Sequence, residues 1–330
     1  MISPYLILLL SISIVIFASY LFVDGLEYIE THLGWSETFT GSIASPIFTS
    51  FPELVVILVA IFAVGNTAGD QIGIGTIFGE PFMASTVGYS AVLTAVVLAF
   101  FKKRRKTTTV LLQKNLIIPY IFNAAIFPVL VIPVFFFTRD VQYFTGIGLI
   151  AFYFIYFIIS SRNRKSKEVI EKSRPILSSL IKAWKAAILE ISIASVVLYY
   201  GSVFLVSSIR DISLLTSISP MSLSILLVPV ATIIPETLTA SFWAYRGKDT
   251  TALASLVGEK VIFTTIFPGL VLLLIPWKVD FAAYFSVVAT VFVSVMYIPF
   301  IIRGKMPAYS LAAGLAFFAV FAYATLMLHI

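Results

Sequence analysis

Residues 46–53 read PIFTSFPE and residues 229–236 read PVATIIPE. The stretches lie 183 positions apart and share both prolines, the threonine and the closing glutamate: Pro46, Thr49, Pro52 and Glu53 over Pro229, Thr232, Pro235 and Glu236. A second pair of blocks follows. DQIGIGTIFGE (70–80) matches DTTALASLVGE (249–259), with Asp70 over Asp249, Thr76 over Ser255, Gly79 over Gly258 and Glu80 over Glu259. One Pro-Glu or Gly-Glu pair would be noise. Two ordered blocks recurring in the same order mark an internal repeat. The gap between blocks is four residues longer in the first half, and the glycine-rich stretch at 65–69 is the expected place for a turn that absorbs them.

The composition says what solvent the repeat uses. Of 330 residues, 60% are hydrophobic and 12% charged, with a mean hydropathy of +1.04. A soluble domain carries about a quarter charged residues. A soluble enzyme and a disordered tail are both excluded, because too little polar surface exists to cover such a chain. There are no cysteines, so disulfides and thiolate chemistry are excluded. The two histidines, His32 and His329, cannot build a metalloprotease pair or a histidine triad.

Apolar runs predict ten spans, at 3–23, 38–64, 70–100, 114–137, 141–160, 183–208, 217–244, 250–275, 280–302 and 307–329. The fold class is therefore an all-α polytopic membrane protein. Residues 1–160 form one five-helix repeat, 161–182 a basic cytoplasmic linker, and 183–330 a second five-helix repeat. Five is odd, so the second half enters from the other side, an inverted repeat as in many secondary transporters. Basic residues cluster at 102–106 (KKRRK), through 162–185, and at Lys114, Arg246, Lys248, Arg303 and Lys305. Of the 22 lysines and arginines, Arg139, Arg210 and Lys278 fall on the other side and Lys260 inside a span. This bias places both termini outside the cell membrane and the basic loops in the cytoplasm. KKRRK reads as a topology anchor. The acidic stretch 24–37 reads as a cytoplasmic loop that carries little topological weight.

Glu53, Glu80, Glu236 and Glu259 stand inside predicted spans. An acid at a helix centre costs about 2.5–3.5 kcal/mol to insert, so four of them should face a cavity or a partner. Lys260 sits beside Glu259 but points about 100° away and cannot neutralise four acids. Pro46, Pro52, Pro229 and Pro235 break the helices that carry Glu53 and Glu236, freeing carbonyls one turn earlier. With the hydroxyls of Thr49, Thr232 and Ser50, these make an oxygen-only shell suited to Ca²⁺, Mg²⁺ or Na⁺. Ser50 has no counterpart, since Ile233 occupies its equivalent position. Thr76 and Ser255 lie four residues before Glu80 and Glu259, on the same helix face. Gly73, Gly75 and Gly79 near Glu80, and Ala252, Ala254 and Gly258 near Glu259, permit close helix approach. Glu190, near the basic end of the sixth span, is expected to snorkel or to pair with Lys182 or Lys185, and Asn115 and Asn123 to bond between helices.

These residues resemble the calcium/cation antiporter superfamily, which includes sodium/calcium and proton/calcium exchangers. Its two inverted five-helix repeats each carry a stretch like G-T-S-L-P-E, then L-G-N-x-x-G-S-N-x-F-N. Thr49, Ser50, Pro52 and Glu53 match the first, as do Thr232, Pro235 and Glu236. The second departs. Glu80 and Glu259 replace the serine, Pro81 and Lys260 the next asparagine, Ala84 and Phe263 the polar residue one turn on, and Thr76 and Ser255 the earlier asparagine. The carboxylates have moved one helical turn along the same face. The resemblance implies a secondary active cation antiporter, exchanging Ca²⁺ or another divalent cation for Na⁺ or H⁺ by alternating access at a four-glutamate midplane site. Glu53, Glu236, Glu80 and Glu259 would be the metal ligands, with no catalytic residue. An exchanger of Na⁺/H⁺ or Mg²⁺, or an intramembrane lipid-modifying enzyme, is the alternative. No cofactor is expected beyond the transported cations. The expected partners are inorganic cations and the lipid bilayer, with no nucleic acid, and the chain is expected to be a monomer.

Overall fold

A computed structural model describes residues 3–32, 47, 49–135, 138–162 and 174–329. Pro46, half of the linker and the start of the span predicted at 38–64 lie outside them. The fold is helical, and its elements follow the predicted segments.

Helix α1 (Pro4–His32) begins with proline in its first turn, where the missing N–H is harmless. It continues through Asp24 and Glu27, so the acidic stretch predicted as loop from residue 24 is helical to His32. Helix α2 (Phe51–Leu58) runs into a wide turn at Val59–Val64 that closes at Gly65 with φ +60°. Helix α3 (Asn66–Met83), a second wide turn at Ala84–Gly88 and helix α4 (Tyr89–Phe101) form one rod of 36 residues. The four extra residues expected in a glycine-rich turn are instead helical, forming the first turn of α3. An insertion of four residues is close to one helical turn, so it lengthens the rod while nearly preserving the face that carries Glu80. Gly69 is required there, because a Cβ would overlap the Ala60 carbonyl.

Strand β1 (Thr109–Leu111) leads to the span Lys114–Phe135, which includes α5 (Ile117–Ile126) and α6 (Ile132–Phe135). Helix α7 (Arg139–Arg162) ends the first half. Helix α8 (Ala183–Thr216) lies along α1. Helices α9 (Pro220–Thr232) and α10 (Ile234–Tyr245) meet at a 57° bend at Ile233. Pro235 lacks the N–H that would bond back into α9, and its ring crowds that turn. Helices α11 (Asp249–Thr264) and α12 (Ile266–Leu274) make a 26-residue span. Helix α13 (Phe281–Arg303), strand β2 (Lys305–Pro307) and helix α14 (Ala313–Leu328) complete the chain. Among the described residues, eight helices are long and apolar enough to cross a membrane, and the bent pair makes nine. Phe51–Val64 is apolar but shorter.

Asp249–Leu274 is the central span, with 78% of its apolar stretch buried against 22% for Arg139–Ile159. Two inter-half contacts position it. Strands β1 and β2 pair antiparallel, Val110 opposite Met306. Beside them Arg105 grips Asp249 through two hydrogen bonds, of 2.5 and 2.8 Å, with the two side chains 9% and 2% exposed. The KKRRK run thus includes a clamp between the two halves. Glu190 also departs from expectation: it is buried and accepts the Leu177 N–H at 2.6 Å, while Asp24 accepts that of Ile176 at 3.0 Å. Two carboxylates therefore hold the turn at Ile176–Ser179, in the last part of the linker. Asn123 does bond between helices, donating to Thr264 and accepting from Ser294.

Helix α3 crosses α9 on its glycines. A Cβ at Gly75 would overlap the Ser224 hydroxyl and come within 2.8 Å of the Met221 carbonyl; one at Gly79 would come within 2.9 Å of the Ile225 backbone. Gly75→Val should therefore destabilise the protein by about 1–3 kcal/mol through overpacking. The melting temperature in detergent should fall clearly. Gly148→Ala, whose Cβ meets no described atom within 4 Å, should leave it unchanged or slightly raised.

Candidate cation site

Helices α2 and α10 start at equivalent positions, Phe51 and Ile234, and each carries proline second and glutamate third. Pro52 and Pro235 thus open helices, where proline is tolerated, while Pro229 lies inside α9. Glu53 and Glu236 stand in first turns, where the helix dipole favours a carboxylate. One carboxylate oxygen each from Glu53, Glu236 and Glu259 lie within 4.8 Å of one another. Two oxygens bound to one Ca²⁺ at 2.3–2.6 Å stand at most about 5 Å apart, so this spacing fits a single shared ion.

Glu80 is the fourth acid. It interacts electrostatically with Glu53, Glu236 and Glu259, and its carboxylate accepts a hydrogen bond from the Thr232 hydroxyl. Glu53, Glu80 and Glu259 are 1%, 2% and 6% exposed. Both oxygens of Glu53 and of Glu259, and one each of Glu80 and Glu236, make no hydrogen bond. Buried polar atoms are nearly always partnered, and four such acids in one place make a set of oxygen ligands of high negative charge. The donors are all oxygen, the chemistry of a hard cation.

The hydroxyls divide. Thr232 reaches Glu80, and Ser50, at the cap of α2, is buried with its hydroxyl unpartnered. Thr49 lies one residue earlier, half-buried. Thr76 and Ser255 instead donate to carbonyls of their own helices, Ile72 and Ala252, at 2.9 and 3.0 Å. Helical threonine and serine commonly back-bond in this way, which is why spacing alone placed them at the site. Thr237, next to Glu236, has a buried unpartnered hydroxyl that the repeat did not reveal, since Leu54 is its counterpart. Lys260 is buried and turns to Ser85 and Tyr89 rather than to a carboxylate.

A family profile described as "Sodium/calcium exchanger protein" matches residues 3–162 and 186–328. A search of curated proteins returns no match. Among solved structures, the fold is similar to an H⁺/Ca²⁺ exchanger, CAX, with a TM-score of 0.74 at 15% identity, covering 99% of this chain and 82% of that one. It is similar to native YfkE, with a TM-score of 0.70 at 16% identity, covering 99% and 93%. It is also similar to the sodium-calcium exchanger NCX_Mj, with a TM-score of 0.58 at 19% identity, covering 99% of both chains.

Proposed function

The chain belongs to the sodium/calcium exchanger protein family and is an integral membrane antiporter, and from that premise we propose that it exchanges Ca²⁺, or another divalent cation, for Na⁺ or H⁺. The observation that carries this reading is the convergence of Glu53, Glu236 and Glu259, with unpartnered oxygens, inside an apolar helix bundle. Glu80 completes the ligand set, with Thr232, Ser50 and Thr49 adding neutral oxygens. Thr76 and Ser255 support the helices that carry Glu80 and Glu259.

Cation and counter-ion compete for the same carboxylates, and protons are natural competitors because burial disfavours the charged form. Each half supplies one glutamate at a helix start and one on the following helix. That symmetry supports ten spans in two inverted repeats, with access alternating as one group of helices rocks against the other. The separate profile matches to each half support the same arrangement. The charge bias supports a cell-membrane location with both termini outside. No partner beyond cations and lipid is invoked, and the monomer is the proposed unit.

The test is a flux panel in proteoliposomes. Radiolabelled calcium uptake should be driven well above protein-free vesicles by an imposed Na⁺ or pH gradient, and should name the coupling ion. No uptake under either gradient overturns the calcium assignment; uptake of Mg²⁺ or Na⁺ instead transfers it to that ion.

A further inference from the structure

The two repeats differ most sharply at one position: Lys260 stands where the first half has Pro81. Lys260 is 1% exposed. A buried ammonium normally holds a carboxylate. This one does not: among the described residues the ion pairs are Arg105–Asp249 and Arg210–Asp211. Its Nζ donates to the Ser85 hydroxyl at 2.7 Å and to the Tyr89 hydroxyl at 3.1 Å, and lies 4.4 Å from the centre of the Tyr89 ring. The seat is stiff. The Tyr89 and Tyr120 hydroxyls bond at 2.7 Å, and the Tyr297 ring stands 5.1 Å from that of Tyr89. The contacts of the ammonium are all neutral, while Glu259, one residue back, is the charged group that acts on it. Ser85 in turn follows Glu80 by five residues on the same rod.

The ammonium is therefore lodged one residue from Glu259, near enough to act on it through space and held back from pairing with it. The geometry points to Lys260 as a built-in cation of the site, a specificity-determining residue whose positive charge takes the place of one monovalent ion. With all four glutamates ionised and Lys260 protonated, the cluster would carry a net charge of three negative. A bound divalent ion leaves one negative charge; without the lysine it would leave two. The inference rests on the cation-site reading above, and it sets how many positive charges that site draws from solution.

The test uses the full chain in detergent micelles, as wild type, Lys260→Met and Lys260→Arg, with equilibrium binding of Ca²⁺, Mg²⁺ and Na⁺ each measured alone. Methionine keeps a long apolar stem and removes the cost of burying a charge that has no carboxylate partner, so folding should hold. The melting temperature verifies this. Lys260→Met should bind the divalent ion at least about tenfold more tightly, the scale of one unit charge acting across protein interior. Lys260→Arg, which keeps the charge, should stay near wild type. Equal affinities in wild type and Lys260→Met would overturn the inference and leave the cation site standing. Binding by Lys260→Met but not by wild type would uphold the inference and overturn the exchanger reading, because the lysine would then fill the site permanently. Binding by neither, with any of the three ions, would overturn both.

Discussion

Glu53→Gln and Glu236→Gln should each lower cation exchange in proteoliposomes by at least about a hundredfold while the protein remains folded. A carboxylate about 2.4 Å from a cation contributes roughly 7 kcal/mol of attraction per unit charge at an effective dielectric of 20. Glutamine keeps one oxygen and the shape but loses the charge. If most of that attraction is offset by solvation, the surviving 2–3 kcal/mol is still about two powers of ten in affinity. The same substitutions should leave thermal stability unchanged or raise it. Each removes a buried charge whose burial costs several kcal/mol, against at most about 1–2 kcal/mol of lost helix-dipole interaction in the first turns of α2 and α10. Measuring both quantities separates a ligand from a structural residue. Exchange at wild-type rates in both variants, with both correctly inserted, would remove these glutamates from the site.

Asp249→Ala should destabilise the chain by about 3–5 kcal/mol, the cost of leaving one member of a buried pair alone. The surroundings tie several elements to this one pair. Arg105 also donates to the Ala244 and Thr109 carbonyls, and Asp249 accepts the Leu111 N–H at 2.8 Å. One aspartate thus fixes the end of α4, strand β1 and the start of α11. Denaturant titration in mixed micelles reads the loss. Arg105→Ala should cost a similar amount, and the double variant less than the sum, because an unpaired charge is buried only in the single variants. Arg105→Lys should fall between, since lysine cannot present the two-pronged guanidinium. Additive single effects would mean the two residues act independently.

Much of this arrangement can be read from the sequence because charge is so scarce in it. Glu53, Glu80, Glu236 and Glu259 stand out against an apolar background and recur in register, and the structure brings them together. The start of α10 is legible from Pro235, whose consequences for a helix are local. What stays hidden depends on contacts between distant segments. Arg105 looks like its neighbours in a basic run, and only the approach of Asp249 distinguishes it. Glu190 looks like a surface acid because the segment that it caps, at Leu177, belongs to the linker itself. Thr76 and Ser255 have ligand spacing, but a hydroxyl in a helix can turn to its own backbone, and spacing does not say which it chooses. The four-residue insertion is legible in its place but not in its conformation, for a related reason. Glycine marks a turn by its freedom, yet Gly69 is glycine for lack of room.

Lys260 carries a consequence for why the two halves share one polypeptide. Had they remained separate, identical subunits, any change would have appeared twice: a lysine after the glutamate in one copy would be a lysine in both. Two ammonium groups would cancel half the charge of four carboxylates, and proline at both positions would leave no ammonium at all. A single fused chain can inherit Pro81 in one copy and Lys260 in the other, and so reach an odd charge that a symmetric pair of subunits cannot encode.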